Sequence, residues 1–255
     1  MIPKTIHYCW FGGNPLPPLA LKCIKSWKKY CPDFEIVEWN ESNFDIDTSP
    51  LYVRQAYEAK KWAFITDYVR LYALTKYGGI YMDTDVQVVR SLDRFLTHRA
   101  FSGFEDDANI PTGIMACEKG FPVFQEFLRY YDTASLYEDL SSSPPVTNVV
   151  VITRIMAQKG LQQNNQLQEV DGFVLYPKDY FCPKSYADGK IYKTRNTHTI
   201  HHFSGSWQTE EQVFWKKRRW KAERKQRIRH LPLTALRKFL GDDCYYRIRT
   251  KLKGK

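Results

Sequence analysis

One stretch constrains this chain more than any other: Ile80-Tyr81-Met82-Asp83-Thr84-Asp85-Val86-Gln87-Val88-Val89, a strand-forming run with two carboxylates set inside it. An unpaired charge in an apolar strand is expensive, so such a run implies that the aspartates leave the core and find a partner. Two carboxylates two residues apart at a strand end point the same way unless a turn intervenes, and together they can share a hard divalent cation with phosphate oxygens. Asp-x-Asp by itself is a common tripeptide that often caps turns. The setting is more specific, because a helical pattern stopped by Tyr77-Gly78-Gly79 leads straight into the strand.

The rest of the pattern is that of an α/β chain. Ile6, Tyr8 and Trp10 alternate with His7 and Cys9 in a strand closed by Phe11-Gly12-Gly13-Asn14-Pro15. Leu19, Leu21, Ile24 and Trp27 predict an amphipathic helix over 19–30, and residues 34–39 a second strand. A β-α-β opening predicts a mostly parallel sheet with ligands at the carboxyl ends of its strands. From about Leu51 to Tyr77 the pattern is helical, with Ala63, Asp67, Arg70 and Leu74 on one face. An exposed Asp67–Arg70 pair would contribute only about 0.2–0.5 kcal/mol. Its neighbours Trp62, Phe64, Ile65, Tyr68, Val69, Leu71 and Tyr72 predict a buried helix instead, where such a pair could orient sugar hydroxyls and a phosphate. Further strands are predicted at 114–116 and 172–176, helices at 121–131 and 149–156, and a Thr/His-rich strand before His201-His202-Phe203-Ser204-Gly205-Ser206-Trp207.

With 255 residues, 43% of them hydrophobic, the chain suits one sizeable α/β domain with an appendage. No charged segment leads into a long apolar run and no stretch approaches ~18 apolar residues, which predicts a cytoplasmic chain with neither a standard signal nor a membrane span. Its six cysteines form no Cys-x-x-Cys pair and predict buried free thiols. The net charge of +10 is concentrated in residues 214–255, with 16 Lys/Arg against three acids, or +13; the remainder holds 22 against 25, or −3. In that tail Trp215, Trp220, Leu231, Leu236 and Phe239 interleave with Lys216-Lys217-Arg218-Arg219 and later basic residues, the pattern of a helix lying on an anionic membrane surface. The acidic core argues against a nucleic-acid groove, so no nucleic acid is expected as a partner. The predicted division is a catalytic domain over 1–212 and a basic amphipathic tail over 213–255.

Four separated motifs carry a family resemblance: Ile2-Pro3-Lys4-Thr5-Ile6-His7-Tyr8-Cys9-Trp10-Phe11-Gly12-Gly13, Asp67-Tyr68-Val69-Arg70, Tyr77-Gly78-Gly79-Ile80-Tyr81-Met82-Asp83-Thr84-Asp85, and His202-x-x-Gly205-x-Trp207. In this order the chain resembles the capsular-polysaccharide branch of glycosyltransferase family 32, related to yeast initiating mannosyltransferases and more distantly to clostridial glucosylating toxins. The resemblance implies a GT-A fold, Rossmann-like and built for nucleotide-diphospho-sugars, here with a basic helical C-terminal extension. It implies retaining hexose transfer from a nucleotide sugar, a UDP-sugar foremost, with Mn2+ or Mg2+, to a lipid-linked or polysaccharide acceptor at the inner face of the cell membrane. By the same resemblance Trp10 stacks on the base, Asp67 and Arg70 hold ribose and donor sugar, Asp83 faces ribose and sugar and shares the metal, and Asp85 ligates it directly. His202 completes the metal shell, with His201 open as the alternative, and Gly205 and Trp207 close over the diphosphate. Asp83, Asp85 and Arg70 form the catalytic set; no protein base is assigned, and a donor phosphate oxygen fits that role. Residues 110–114 and 144–148 border the donor sugar. Met82-Asp83-Thr84-Asp85-Val86 also matches the nucleophile loop of haloacid-dehalogenase-type phosphatases, with Gly241-Asp242-Asp243 as the late acidic motif, although a glycine helix stop and an aspartate cap explain the latter more simply.

Overall fold

In the computed structural model, which describes residues 1–142, 146–205, 214–215, 218–223 and 241, the chain opens as the alternation requires. Strand β1 (Thr5–Cys9), helix α1 (Pro18–Tyr30) and strand β2 (Glu35–Trp39) form a β-α-β unit with β1 and β2 parallel. Pro18 starts α1 without penalty, since its missing N–H would have had no intrahelical partner. The long helical pattern that follows is two helices, α2 (Leu51–Glu58) and α3 (Trp62–Tyr77). They part at Lys60, whose φ of 53° is left-handed, and the Lys61 amide donates back to the Ala56 carbonyl at 2.8 Å, the bond that closes such a turn. No Gly or Pro marks this break in the sequence.

After α3 come β3 (Gly79–Met82), β4 (Val86–Val88), β5 (Ala100–Gly103), β6 (Ile114–Cys117), helices α4 (Pro122–Arg129), α5 (Leu136–Ser141) and α6 (Asn148–Gln158), then β7 (Gln168–Val170), β8 (Phe173–Tyr176), α7 (Lys178–Phe181) and β9 (Thr199–His201). Gly79 is required where β3 begins: at φ 106°, a Cβ there would sit 2.7 Å from the Thr5 carbonyl oxygen. The main sheet has the order β2-β1-β3-β6-β5-β8-β7. Five of its strands run in one direction, while β6 and β7 oppose them. Strand β4 does not continue β3. It leaves for a separate two-stranded ribbon with β9.

Alternation along the strands feeds two cores. Tyr81, Met115, Cys117, Phe173 and Leu175 face α2, α3, α4 and α6, whereas Ile6, Ile80, Met82, Ile114 and Val174 face α1 and the β4 side. Both faces of the sheet are thus covered, which suits the mostly parallel reading. The fold lies within a compact unit of Met1–Ser185 and Ile191–Trp207; Tyr186–Lys190 and Gln208–Lys255 form a second unit. In the second unit the Trp220 indole donates to the Tyr186 carbonyl at 2.7 Å and covers Gly189, whose φ is left-handed. Most of the basic tail lies outside the described residues. Cys9, Cys23, Cys31, Cys117 and Cys182 are buried and free. No described helix is long and apolar enough to cross a membrane.

Candidate active site

The Asp-x-Asp segment is the point where the chain changes sheets. The Asp83 amide still belongs to the main sheet, donating to the Gly113 carbonyl at 2.9 Å. The Val86 amide then donates to the Asp83 carbonyl at 2.9 Å, closing a turn over Asp83-Thr84-Asp85. Strand β4 runs on from that turn and pairs with β9 so that Val86 lies opposite His201. The consequence is a cluster: one ligand atom from each of Asp83, Asp85 and His201 lies within 4.8 Å of the others. His201 Nε2 is 3.2 Å from an Asp85 oxygen and 3.9 Å from one of Asp83.

Backbone amides fix Asp85. Its second carboxylate oxygen accepts from the Ser204 N–H at 2.7 Å, and its carbonyl accepts from the His202 N–H at 3.0 Å. Ser204 reaches it because Phe203 adopts a left-handed φ of 51°, turning the chain sharply after β9. Burial pushes the Asp85 carboxyl upward, but His201 and the amide outweigh it and hold it below the usual carboxylate range. His201 is raised in turn: burial opposes its charge, and the Asp85 carboxylate overrides that.

Beside the cluster sits Arg70, buried in α3. Its Nε donates to the Thr66 carbonyl at 3.0 Å and one terminal nitrogen to the Thr66 hydroxyl at 3.0 Å and to Asp67 at 3.1 Å. The other terminal nitrogen donates to the Thr112 carbonyl and lies 3.5 Å from Asp83. The guanidinium also covers the Tyr81 ring at 4.7 Å, and the Tyr81 hydroxyl donates to Asp83 at 2.9 Å. Burial pushes the Asp67 carboxyl upward, with Arg70 pulling it back. Asn148, at the start of α6, donates to the Asp67 carbonyl at 2.9 Å, and its own side-chain oxygen is buried without a partner among the described residues.

At Gly113 the backbone comes close to the cluster. A Cβ there would lie 2.7 Å from the His201 ring and 3.1 Å from an Asp83 oxygen, so only glycine lets β6 pass this close. A model of the glycosyltransferase sugar-binding region containing the DXD motif matches residues 17–102, which hold Asp67, Arg70, Asp83 and Asp85. The chain carries a DXD sugar-binding region.

Named proteins are similar to the chain in sequence. Inositol phosphoceramide mannosyltransferase 3 of Schizosaccharomyces pombe is 33% identical over 132 residues, 50% of this chain and 36% of the relative. An uncharacterized glycosyltransferase of Acanthamoeba polyphaga mimivirus is 24% identical over 216 residues, 76% of this chain and 82% of that one. The chain therefore spans little more than a third of the yeast protein's length. Among solved structures, the PaToxG glycosyltransferase superposes with a TM-score of 0.51 at 18% identity, covering 62% of this chain and 70% of that chain. This likeness shows the fold, the GT-A arrangement of a mixed α/β sheet.

The DXD region and the segments beyond it sort the expected site residues. Asp67, Arg70, Asp83 and Asp85 come together. His202 does not: successive residues leaving β9 point to opposite sides, so His201 faces the carboxylates while the His202 ring pairs with the Gln87 side chain at 3.1 Å. Arg70 also differs from expectation. Each of its three nitrogens is engaged inside the protein, so in this arrangement it orients Asp67 and Asp83 instead of offering a free donor to a phosphate. Trp10 follows β1 at the sheet edge where Asp83 follows β3; it is half-buried and donates to the Asn14 carbonyl. Gly205, which follows Ser204, has a φ of 73°, and Trp207 lies outside the described residues. Tyr81 and Ser204 have no role assigned from the sequence, whereas Gly113 lies inside the segment 110–114 expected to border the donor sugar.

Two carboxylates and one imidazole suit a cation that accepts mixed oxygen and nitrogen ligands, Mn2+ better than Mg2+. The absent side chain at Gly113 is what lets the His201 ring lie beside these carboxylates.

Proposed function

We propose that the chain is a metal-dependent glycosyltransferase that moves a hexose from a nucleotide-diphospho-sugar, with retention of anomeric configuration, to a growing surface glycan. The observation that carries this reading is the convergence of Asp83, Asp85 and His201 within 4.8 Å, beside a DXD sugar-binding match. Asp83, Asp85 and His201 would hold the cation, which when bound supplies charge neutralisation to the departing diphosphate. Arg70 and the Tyr81 hydroxyl keep the Asp83 carboxylate in one orientation, and the Ser204 amide does the same for Asp85, so the site needs little reorganisation. Asp67, Asn148 and Trp10 are assigned to the ribose, the donor sugar and the base.

UDP-sugars are the first donors to try on the strength of the resemblance. The mannosyltransferase name of the yeast relative supports testing GDP-mannose beside them, and its ceramide acceptor supports a lipid-linked acceptor here. The charge of residues 214–255 supports attachment to an anionic membrane surface at the cytoplasmic face. The family match leaves no support for a phosphatase using Asp83 as nucleophile, and Asp242 and Asp243 lie outside the described residues.

A thermal-shift screen of UDP-galactose, UDP-glucose, their N-acetylated forms and GDP-mannose, with and without manganese, tests the reading. Stabilisation by one donor, only with metal, is the expected result. No shift for any donor would overturn it.

A further inference from the structure

Five consecutive amide side chains, Gln162-Gln163-Asn164-Asn165-Gln166, lie in the loop between α6 and β7, and the site around Asp83 uses none of them. Their own polar atoms tie the loop down. The Gln166 backbone N–H and the Gln168 side chain donate to the Asn164 side-chain oxygen at 3.0 and 3.3 Å, and the Lys178 backbone N–H donates to the Asn165 side-chain oxygen at 2.7 Å. Gln163 donates to the Ala108 carbonyl at 3.3 Å. These bonds leave the NH2 groups of Asn164 and Asn165, the Gln163 side-chain oxygen and the whole Gln166 side chain without a partner among the described residues. Asn165 is half-buried and the other four amides are exposed.

The topology places this loop at the Asp-x-Asp edge of the sheet. Strands β3, β5 and β8 run the same way, so Asp83, the segment 104–109 and Pro177-Lys178 leave the sheet on one side. Antiparallel β7 begins on that side, with Gln168 opposite Leu175. The bonds of Gln163 to Ala108 and of Asn165 to Lys178, with the Lys178–Asp107 ion pair at 2.6 Å, lace these segments together. Along the edge the order β1-β3-β6-β5-β8-β7 puts Trp10, assigned to the base, after β1, the Asp83 cluster after β3, and the amide loop beside β8 and β7. Three to four interstrand spacings, roughly 14–19 Å, separate the loop from β3 on the side away from the base. Sugars that extend beyond the donor along this edge meet the amides.

The chemistry of the loop selects its ligand. An amide offers two N–H donors and a carbonyl acceptor, the complement of a sugar hydroxyl, which both donates and accepts. Residues 162–168 hold no Lys or Arg, and Lys178 is paired with Asp107, so the loop suits neutral hydroxyls better than a phosphate. Leu167, 59% exposed, supplies apolar surface for the C–H face of a pyranose ring. Because backbone and side-chain bonds already fix the loop, little freedom is lost when a sugar binds.

We propose that residues 162–167 form an acceptor subsite that binds neutral sugar units of the glycan next to the one receiving the hexose. This rests on the glycosyltransferase reading above. The subsite acts by binding alone and makes no demand on the face from which the acceptor hydroxyl meets the anomeric carbon, so it accords with retention.

The test uses the full chain with manganese and UDP on an immobilised panel of α- and β-linked di- and trisaccharides of galactose, glucose, mannose and N-acetylglucosamine. Asn164→Asp and Asn165→Asp keep the side-chain oxygens that hold the loop and remove only the NH2 groups. Wild type should retain members of the panel, and the joint variant should bind them about 10-fold more weakly, with melting temperature and manganese and UDP affinity unchanged. Gln166→Ala, which breaks no side-chain contact within the loop, should weaken them about threefold. No glycan retained by wild type, or equal retention by the joint variant, would overturn the proposal. A fall in melting temperature in parallel with glycan affinity would also overturn it, making the amides supports of the loop. Release of nucleoside diphosphate from none of the five nucleotide sugars named above would overturn the glycosyltransferase reading instead, a result separate from glycan retention.

Discussion

His201 and His202 are neighbours with different surroundings, and substitution separates them. His201→Ala removes the ring that stands 3.2 Å from Asp85, so manganese affinity measured by calorimetry should fall roughly 100-fold. His202→Ala loses only a contact with Gln87 and keeps the backbone N–H that bonds the Asp85 carbonyl, so its manganese affinity should match wild type. Equal losses in the two variants would mean that the ring facing the carboxylates is not the ligand. The sequence offered two adjacent imidazoles and no means of choosing. Register chose, because pairing Val86 with His201 turns one ring toward the turn and the next away. Asp67 and Arg70 were legible as a buried pair from their apolar helix, whereas the carbonyls of Thr66 and Thr112 that occupy the guanidinium were not, since a side-chain pattern says nothing about distant backbone oxygens.

Strand β4 is held from both sides, and this gives a test at the scale of an element. Its edge toward β9 is paired; on the opposite edge the Val86 carbonyl accepts from the Trp27 indole at 2.7 Å and the Val88 amide donates to the Ser26 hydroxyl at 3.0 Å. Helix α1 therefore satisfies backbone groups that a bare edge would expose. Trp27 is fully buried, so Trp27→Phe keeps an aromatic ring but leaves a buried carbonyl without its donor, at a cost of about 2 kcal/mol. By calorimetry the melting temperature should drop by about 5 °C. An unchanged melting temperature would show that this bond does not support the ribbon. The sequence marked Trp27 as an apolar helix position, and its hydrogen-bonding role emerged only from its contact with β4. The unmarked break at Lys60 and the short strand β5 were missed for a similar reason: neither carries turn residues or a long β-prone run, and the packing around them decides their form.

At the scale of the whole molecule, charge is divided between an acidic body and a strongly basic tail, +13 over residues 214–255 against −3 over the rest. Each Lys or Arg near an anionic bilayer contributes about 1 kcal/mol of attraction. The full chain should therefore sediment with phosphatidylserine vesicles at low salt, and much less with phosphatidylcholine vesicles. Joint replacement of Lys216, Lys217, Arg218 and Arg219 by Gln should weaken this binding while leaving manganese affinity intact. Equal binding to both vesicle types, or tighter binding to single-stranded DNA at matched salt, would remove the membrane assignment.

By itself the sequence determined the order of most strands and helices, the Gly78-Gly79 stop, the placing of two aspartates at a strand end, and the division of charge. Periodicity, turn chemistry and composition are local properties, and a single chain displays them directly. Tertiary structure alone decided that the strand after Asp85 leaves the main sheet, that His201 meets the aspartates, that Gly113 must lack a side chain, and that the loop 162–167 emerges at the same edge. Each of these depends on which distant segments pair and in what register, and that is settled only when the competing ways of burying the chain are resolved into one.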